Sequence, residues 1–271
     1  MARLAPPGLA RGWLTTVRLL MCVKHELPFG AVRHFAVPVW ISSAGRVFVS
    51  DWSEFLVIAE IYRPPGDYDS DELPADPAVI VDVGANIGLA ARFFSRRYPG
   101  ARIIAYEPDP LSHRVAKRNV AHLSQVSLRN AAVAPEAGQL LLHRVAGESW
   151  RTSSLVADQP GAETFVADAV TLDSIIQDVG AIDILKIDIE GGEYDVVQAS
   201  QLLDRVDFIV GELHPVPGRS AEEFFSHLGA FDILEDEVTD GKGTFLACRR
   251  RANRSGEHLQ RSVEERNGSQ P

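Results

Sequence analysis

The sequence predicts an α/β fold in which helices cover both faces of a mostly parallel sheet. Three observations support this: an almost wholly apolar run at 79–83, a glycine turn directly after it, and an alternation of strand and helix patterns from residue 78 onward. Short apolar runs between turn signals are typical of fully buried strands. Strands that alternate with helices form parallel sheets, and such sheets bind ligands beyond the carboxyl ends of their strands.

The strands and helices of this main domain follow from the same patterns. The core strands are predicted at 79–83, 102–106, 126–129, 182–189 and 208–213. The helices are predicted at 87–98, 110–122, 172–179 and 221–228. Two last strands, at 231–234 and 244–248, are joined by a Thr-Asp-Gly-Lys-Gly turn and are expected to form an antiparallel edge.

Between the third and fourth core strands the pattern is less regular. We expect a short hairpin from 131–133 and 139–143, then a polar, serine-rich loop at 144–162 and a strand at 164–170. The loop contains Trp150, Arg151, Ser153 and Ser154. Its composition suits contact with a polar, hydroxylated molecule.

Residues 1–77 are predicted to form an accessory region that precedes the main domain at 78–248. Its expected elements are a helix at 9–27, a hairpin at 37–50, a helix at 52–62 capped by Asp51 or Ser50, and a proline-rich acidic linker at 63–77. The polar segment 249–271 is expected to be a disordered tail.

The composition restricts the class of protein. The 271 residues carry a net charge of −10, which disfavours binding to nucleic-acid phosphates. Cys22 and Cys248 form neither a disulfide framework nor a metal-ligand pattern, so a reducing, cytoplasmic location is expected. No apolar run reaches the roughly 18 residues of a membrane span. Charges around the apolar patch at 19–23 argue against a signal peptide.

The turn in AVIVDVGANIG, residues 78–88, predicts a nucleotide-like ligand that has no diphosphate. Gly84 can adopt a positive φ there, Asn86 can cap the next helix, and Gly88 lets that helix approach the sheet. The dinucleotide fingerprint requires a glycine where this chain has Asn86, because the backbone must approach a pyrophosphate there.

Two further strand ends extend this nucleotide-like site. Glu107 ends the second strand about twenty residues beyond the glycine turn, where an acid can accept both hydroxyls of a ribose. Asp109 is expected to cap the following helix. Asn130 and Ala131 end the third strand, where the rim of an adenine pocket would lie.

Acidic residues and a histidine end the fourth and fifth strands. Lys186, Asp188 and Glu190 alternate, so they are expected on one face of a strand. Lys186 is expected to pair with a carboxylate, since a buried unpaired charge is costly. His214, which shares a face with Glu212, is a candidate general base. Alternatively, Asp188, Glu190 and Glu212 can hold a divalent cation through oxygen ligands, and the sequence leaves both roles open.

The segments VDVGANIG, AYEPDP, VTLDSII, LKIDIEGGEYDVV and VGELHP, in this order, resemble the FkbM-type S-adenosylmethionine-dependent methyltransferases. The resemblance covers roughly residues 78–215 and, less clearly, 36–77 and 216–248. Gly192 stands where that family more often has alanine. It implies the seven-stranded, Rossmann-like methyltransferase fold and transfer of a methyl group, usually to an oxygen. The candidate cofactor-binding residues are then Asp82, Gly84, Ala85, Asn86, Gly88, Glu107, Asn130, Ala131 and Asp188. The candidate catalytic residues are Asp188, Glu190 and His214.

The expected function is O-methylation of a hydroxyl group on a sugar or natural-product acceptor, either a small molecule or a glycan. S-adenosylmethionine is the expected cofactor, with magnesium as an optional second one. One alternative is a nicotinamide-dependent oxidoreductase, which Asn86 disfavours. Another is a module that binds the cofactor without catalysis, and the presence of Glu107, Asp188, Glu190 and His214 disfavours it.

Overall fold

The computed structural model describes residues 36–41, 45–51, 53–64, 66–144, 152–153 and 162–250. Three predicted features lie wholly or mostly outside these residues: the helix at 9–27, the polar loop at 144–162 and the tail at 249–271. No helix in the described part of the chain is both long and apolar enough to cross a membrane.

Strands and helices alternate through most of the described chain. The strands are β1 (Val37–Ile41), β2 (Gly45–Val49), β3 (Val79–Val83), β4 (Arg102–Tyr106), β5 (Val126–Arg129), β6 (Ala132–Val133), β7 (Gly138–Arg144), β8 (Thr152–Ser153), β9 (Glu163–Val170), β10 (Ile182–Ile187), β11 (Val206–Leu213), β12 (Phe231–Asp236) and β13 (Gly243–Arg249). The helices are α1 (Glu54–Tyr62), α2 (Leu89–Arg97), α3 (Pro110–Val120), α4 (Leu172–Val179), α5 (Glu193–Ala199) and α6 (Ala221–His227), with a 3₁₀ turn at Leu203–Arg205. The predicted elements of the main domain occur within a few residues of their expected limits, whereas α5 is a helix that the sequence patterns missed.

Seven strands form the central sheet, in the order β12-β13-β11-β10-β3-β4-β5. The neighbours from β11 to β5 are parallel, and β13 runs antiparallel to both β11 and β12. The predicted α/β fold with an antiparallel edge is therefore confirmed. The chain runs outward from β3 to β5 and later returns to β10 on the other side of β3, so the strand order reverses there. Open α/β sheets bind their ligands at such a reversal.

Both faces of this sheet are covered, which explains why its central strands are almost continuously apolar. Neighbouring residues of β3 face different cores. Ile80 packs in a cluster with Phe94 of α2 and Val47 of the accessory hairpin, whereas Val81 packs in a second cluster with Ile176 of α4. The hairpin and α1 thus share a hydrophobic core with the central sheet.

The chain before α1 is ordered by two buried acids. The predicted hairpin and helix are confirmed, but the N-cap of α1 is Ser53 rather than Asp51 or Ser50. The carboxylate of Asp51 accepts a hydrogen bond from the N–H of Ser53, and the carboxylate of Glu54 reaches back to accept from the N–H of Ser50. The helix therefore starts later than predicted, because these acids satisfy the preceding backbone instead.

The predicted hairpin between 131–133 and 139–143 is wrong in its pairing. Strand β9 lies between β6 and β7, parallel to the first and antiparallel to the second. β6 has only two residues, whereas β9 offers β7 seven pairs, from Gly138↔Ala169 to Arg144↔Glu163. β7 therefore pairs with β9, which is more distant in sequence but offers a longer ladder, rather than with β6. β8 extends this second sheet beyond β7.

A buried ion pair joins the second sheet to the central one. The guanidinium of Arg144, at the end of β7, donates two hydrogen bonds of 2.6 and 2.8 Å to the carboxylate of Asp109. The two side chains are 7% and 1% exposed. Asp109 is also the N-cap of α3, as predicted, and accepts the N–H of Leu111. One carboxylate therefore orders both the helix start and the sheet beside it.

Replacing Arg144 by alanine is expected to lower the free energy of unfolding by about 3–5 kcal/mol, because Asp109 would remain buried without its cation. The matched control is Arg250→Ala, which removes an exposed ion pair with Asp232 and is expected to cost less than about 1 kcal/mol. Urea denaturation followed by circular dichroism measures both. Similar small losses in the two variants would contradict the structural role of the buried pair.

Candidate active site

A cavity of about 400 Å³ opens beyond the carboxyl ends of β3, β4, β10 and β11. Its wall combines the turns after these strands with residues of α1, the following linker and the second sheet. Of the candidate residues, Gly84, Ala85, Asn86, Glu107, Asp188, Glu190, Glu212 and His214 line the cavity. The predicted nucleotide end and the predicted acidic end therefore belong to one space.

The turn after β3 passes very close to the end of β10. Gly84 has φ +84°, as expected, and a Cβ atom at this position would lie 1.8 Å from the carbonyl oxygen of Asp188. Lys186 donates a 2.6 Å hydrogen bond from Nζ to the Gly84 carbonyl. Glycine is required at residue 84 both for its backbone conformation and for this close approach.

The capping role predicted for Asn86 and the packing role predicted for Gly88 are wrong, although Asn86 lies in the cavity wall as a cofactor-binding candidate should. Asn86 does not cap α2, whose N-cap is Gly88 without any side-chain hydrogen bond. Instead, Asn86 lines the cavity, and its Oδ1 is buried without a hydrogen-bond partner among the described residues. A Cβ on Gly88 would lie 3.1 Å from Val120 and 3.3 Å from Ala116, so Gly88 allows α2 to approach α3 rather than the sheet.

Glu107 connects the turns after β3 and β4. It is 5% exposed, and its two carboxylate oxygens accept the N–H groups of Asn86 at 2.7 Å and Asp109 at 2.8 Å. Burial, reinforced by the negative charge of Asp109, raises the pKa of Glu107 to about 8. A carboxylate oxygen can accept more than one hydrogen bond, so Glu107 retains capacity for a ligand in the cavity.

Four candidate cofactor-binding residues lie outside the cavity lining, namely Asp82, Gly88, Asn130 and Ala131. Asn130 donates from Nδ2 to the carbonyls of Glu107 and Pro108, at 2.8 and 3.0 Å, and so fixes the chain after β4. Ala131 is buried, and the wall at this point is formed by residues 132–135. Asp82 is fully buried, 3.2 Å from Lys186 Nζ. Asn130 therefore orders the backbone around the site, and Asp82 pairs with Lys186 beneath it.

Lys186 pairs with carboxylates, as predicted. Its Nζ lies 3.2 Å from Asp82 Oδ1 and 3.5 Å from Asp188 Oδ2. Burial disfavours its charged form, but the charges of these two acids outweigh burial and raise the pKa of Lys186. Asp188 Oδ2 also accepts the hydroxyl of Tyr68 at 3.1 Å, so a residue of the linker helps to orient it.

Strand β10 ends at Ile187, two residues earlier than predicted. Asp188 and Glu190 therefore lie in a turn and do not continue the alternation of the strand. Glu190 has φ +55° and Gly191 has φ +100°, and such values end an extended conformation. The turn nevertheless keeps both acids in the cavity wall.

His214 lies among four carboxylates. Its Nδ1 is 3.0 Å from Glu193 Oε1, and its Nε2 is 3.6 Å from Glu190, 3.8 Å from Glu212 and 4.0 Å from Asp188. Burial disfavours the imidazolium, but the hydrogen bond to Glu193 and the surrounding negative charges raise the pKa of His214 to about 9. Burial raises the pKa of Glu190 to about 8. The ligand-free cluster therefore retains protons at neutral pH.

Two residues of this site were missed by the sequence analysis. Tyr68 lies in the segment predicted only as a linker, and a lone tyrosine among acids and prolines gives no signal of its contact with Asp188. Glu193 is fully buried, three residues after Glu190 in EGGE. Its position in the first turn of a helix was the available signal, since acids are favoured there, but α5 itself was not predicted.

The chain matches the Methyltransferase FkbM domain family over residues 82–238, which is more than half of its length. The chain belongs to this family. The expected resemblance is thus confirmed, and the seven-stranded, Rossmann-like methyltransferase fold is the one observed. The fold and the family support S-adenosylmethionine as the cofactor.

Three curated relatives are similar to parts of this chain. Methyltransferase sdnD of Sordaria araneosa is 31% identical over 48% of this chain and 63% of its own length. The 2-O-methyltransferase NoeI of Sinorhizobium fredii is 26% identical over 51% and 63%, respectively. The 31-O-demethyl-FK506 methyltransferase FkbM of Streptomyces tacrolimicus is 29% identical over 53% and 68%. The match with the first two spans less than two thirds of their own lengths.

The residues at the nucleotide end fit this cofactor. The buried Oδ1 of Asn86 offers an acceptor without a partner among the described residues, and Glu107 offers carboxylate oxygens for the hydroxyls of a ribose. Residues 132–135 add a mostly apolar wall against which a base can pack. A diphosphate would require glycine at residue 86 for close approach to the backbone, so the side chain of Asn86 disfavours a dinucleotide.

The free energy of unfolding of the cofactor-free protein is expected to fall as pH rises from about 5 to 8. The folded state keeps the Glu107 proton up to about pH 8, whereas the unfolded chain releases it near its ordinary pKa of about 4.3, so ionisation favours unfolding across this window. In Glu107→Gln, the loss of unfolding free energy across this pH window should be smaller by roughly a few kcal/mol. Urea melts at several pH values measure the slope.

The control for this pH series is Asp204→Asn, at an exposed position before β11. It should retain the slope of the unsubstituted protein. An unchanged slope in Glu107→Gln would show that the proton of Glu107 does not set the pH dependence.

Proposed function

We propose that this protein transfers the methyl group of S-adenosylmethionine to a hydroxyl oxygen of a small-molecule or glycan acceptor, such as a sugar or a natural product. The observation that carries the proposal is the continuity of the cavity from Asn86 and Glu107 to Asp188, Glu190 and His214. The relatives named as a 2-O-methyltransferase and a 31-O-demethyl-FK506 methyltransferase support oxygen as the accepting atom.

The chain has two tasks in such a transfer, namely positioning and proton removal. When bound, the cofactor supplies an electrophilic methyl group on a sulfonium. Glu107 and Asn86 would hold its nucleoside portion, and the turn at Gly84 allows close approach of the backbone. Alignment of the acceptor oxygen with the methyl group accounts for much of the rate in a direct displacement. The acids and His214 at the other end would orient the acceptor hydroxyl and take its proton.

Asp188→Asn and His214→Ala are each expected to lower turnover by roughly 10²–10⁴-fold, the contribution typical of a positioned acid or base. Transfer of the labelled methyl group from the cofactor to fractionated metabolites measures turnover, and calorimetry should show that His214→Ala still binds the cofactor. Asp204→Asn, at the opposite end of the sheet, serves as the active control. Full turnover in both site variants would refute these roles.

Cofactor titrations separate the competing functions. A calorimetric titration should detect S-adenosylmethionine binding and no NAD binding, because Asn86 replaces the glycine of the dinucleotide fingerprint. Tight NAD binding would favour the nicotinamide-dependent oxidoreductase. Binding of S-adenosylmethionine without methyl transfer to any fraction would favour a non-catalytic module.

A divalent cation is a second means of activating the acceptor hydroxyl. Donor atoms of Asp188, Glu190 and His214 all lie within 4.8 Å of one another. Compared with the predicted ligand set, this cluster contains His214 in place of Glu212. Magnesium prefers oxygen ligands, whereas an imidazole suits first-row transition ions.

If a cation takes part, EDTA should abolish turnover, and manganese should restore it at lower concentration than magnesium. The matched measurement is cofactor affinity, which EDTA should leave unchanged because the described residues at the nucleotide end hold no such donor set. Full turnover in EDTA would show that no cation is required and that the acids and His214 activate the hydroxyl without one.

The remaining expectations belong to the same proposal. Nucleic acid is not the proposed partner, given the net charge of −10, and the proposed location is cytoplasmic. We divide the chain into an accessory region at 1–77, a catalytic domain at 78–248 and a tail at 249–271. The accessory region contributes to the site. Leu56 and Glu60 of α1 and Tyr68 of the linker line the cavity.

A further inference from the structure

We infer that Glu193 is a positioning residue that holds His214 with Nδ1 protonated and Nε2 directed at the acids of the active site. The inference rests on the proposed function for its catalytic consequence, but its structural content stands apart from it. Glu193 is the first residue of α5 and is fully buried. Its side chain therefore needs partners inside the protein.

Three N–H groups converge on this one carboxylate. Oε1 accepts the N–H of Ile189 at 2.7 Å and lies 3.0 Å from Nδ1 of His214, and Oε2 accepts the N–H of Gly191 at 2.9 Å. A carboxylate is an acceptor-only group, so Nδ1 of His214 must carry the hydrogen. Once the imidazolium gives up its second proton, the lone pair of the ring is on Nε2.

The same contacts explain how the turn after β10 is held. Glu190 and Gly191 both have positive φ, which is costly for a residue with a side chain. The backbone bonds to Glu193 come from either side of Glu190 and hold it in this conformation. Glu193 thus joins the end of β10, which carries Asp188 and Glu190, to the end of β11, which leads to His214.

The orientation of the ring depends on this contact. Among the described residues, Nε2 has no hydrogen-bond partner, and its nearest carboxylate oxygens are 3.6–4.0 Å away. Those acids attract the ring but do not fix its rotation, since hydrogen bonds are shorter than these distances. The hydrogen bond to Glu193 is the contact that defines which ring nitrogen faces the acceptor.

Glu193→Gln tests the inference because the amide keeps the size of the side chain but has only one acceptor oxygen. It cannot accept three N–H groups, so it must present its own N–H to the backbone or to His214. Turnover should fall by roughly 10²-fold, in the range of a positioned base, while the KM for S-adenosylmethionine changes only a few-fold. Glu222→Gln, an exposed acid in the first turn of α6, is the matched control and should retain full turnover.

A double-mutant cycle separates positioning from a merely structural role. If Glu193 acts through His214, the Glu193→Gln/His214→Ala double variant should be no slower than His214→Ala alone. Losses that multiply would overturn the inference, since Glu193 would then act independently of the ring. Glu193→Asp, which keeps the charge with a shorter reach, should recover part of the activity.

Proton NMR supplies a readout that needs no acceptor. The unsubstituted protein should show a downfield imidazole proton from the charge-assisted bond between His214 Nδ1 and Glu193. This resonance should be absent in both His214→Gln and Glu193→Gln, and its persistence in Glu193→Gln would overturn the inference. If no methyl transfer is found for the unsubstituted protein, the proposed function fails while the NMR result still decides the contact.

Discussion

The buried ammonium of Lys186 is the interaction on which the two central strand ends depend. It donates to the carbonyls of Val83 and Gly84 and lies beside the carboxylates of Asp82 and Asp188. These groups belong to β3 and β10, the two strands between which the sheet order reverses. A single charge thus donates to backbone oxygens at the end of one strand and neutralises acids from both. The Gly84 turn lies against the backbone of Asp188 here, and both residues form part of the cavity wall.

Most of the central fold could be predicted because its signals are local. The apolar runs of β3, β4, β10 and β11 and the glycine or proline residues between elements specify strands and helices in order, and a parallel sheet follows from the alternation. The pairing of β7 could not be found in this way. Its partner β9 begins at Glu163, beyond a long polar loop, and no pattern within β6 or β7 shows that a distant strand will lie between them.

The residues of the candidate active site that line the cavity were predictable where residue type and strand position could be read together. Gly84, Glu107, Asp188 and His214 follow from this rule, because parallel strands end at the same edge. Contacts that run between elements were not predictable. Asn130 turns back to the carbonyl of Glu107, Gly88 packs on α3, and Tyr68 reaches Asp188 from the linker. Such roles depend on the relative placement of elements, which a single sequence does not encode in any local pattern.

The site is built at an electrostatic cost that bears on its function. Burial raises the pKa values of Glu107 and Glu190, whereas the hydrogen bond to Glu193 and the surrounding negative charges raise the pKa of His214 against the effect of burial. The ligand-free protein therefore holds protons that a solvated site would release. A ligand that donates hydrogen bonds to Glu107 replaces water lost by that carboxylate, and a positively charged group near Glu190 favours its ionised form. S-adenosylmethionine combines a ribose with a sulfonium cation. The cofactor therefore matches both ends of the cavity, and its binding would lower the pKa values of Glu107 and Glu190.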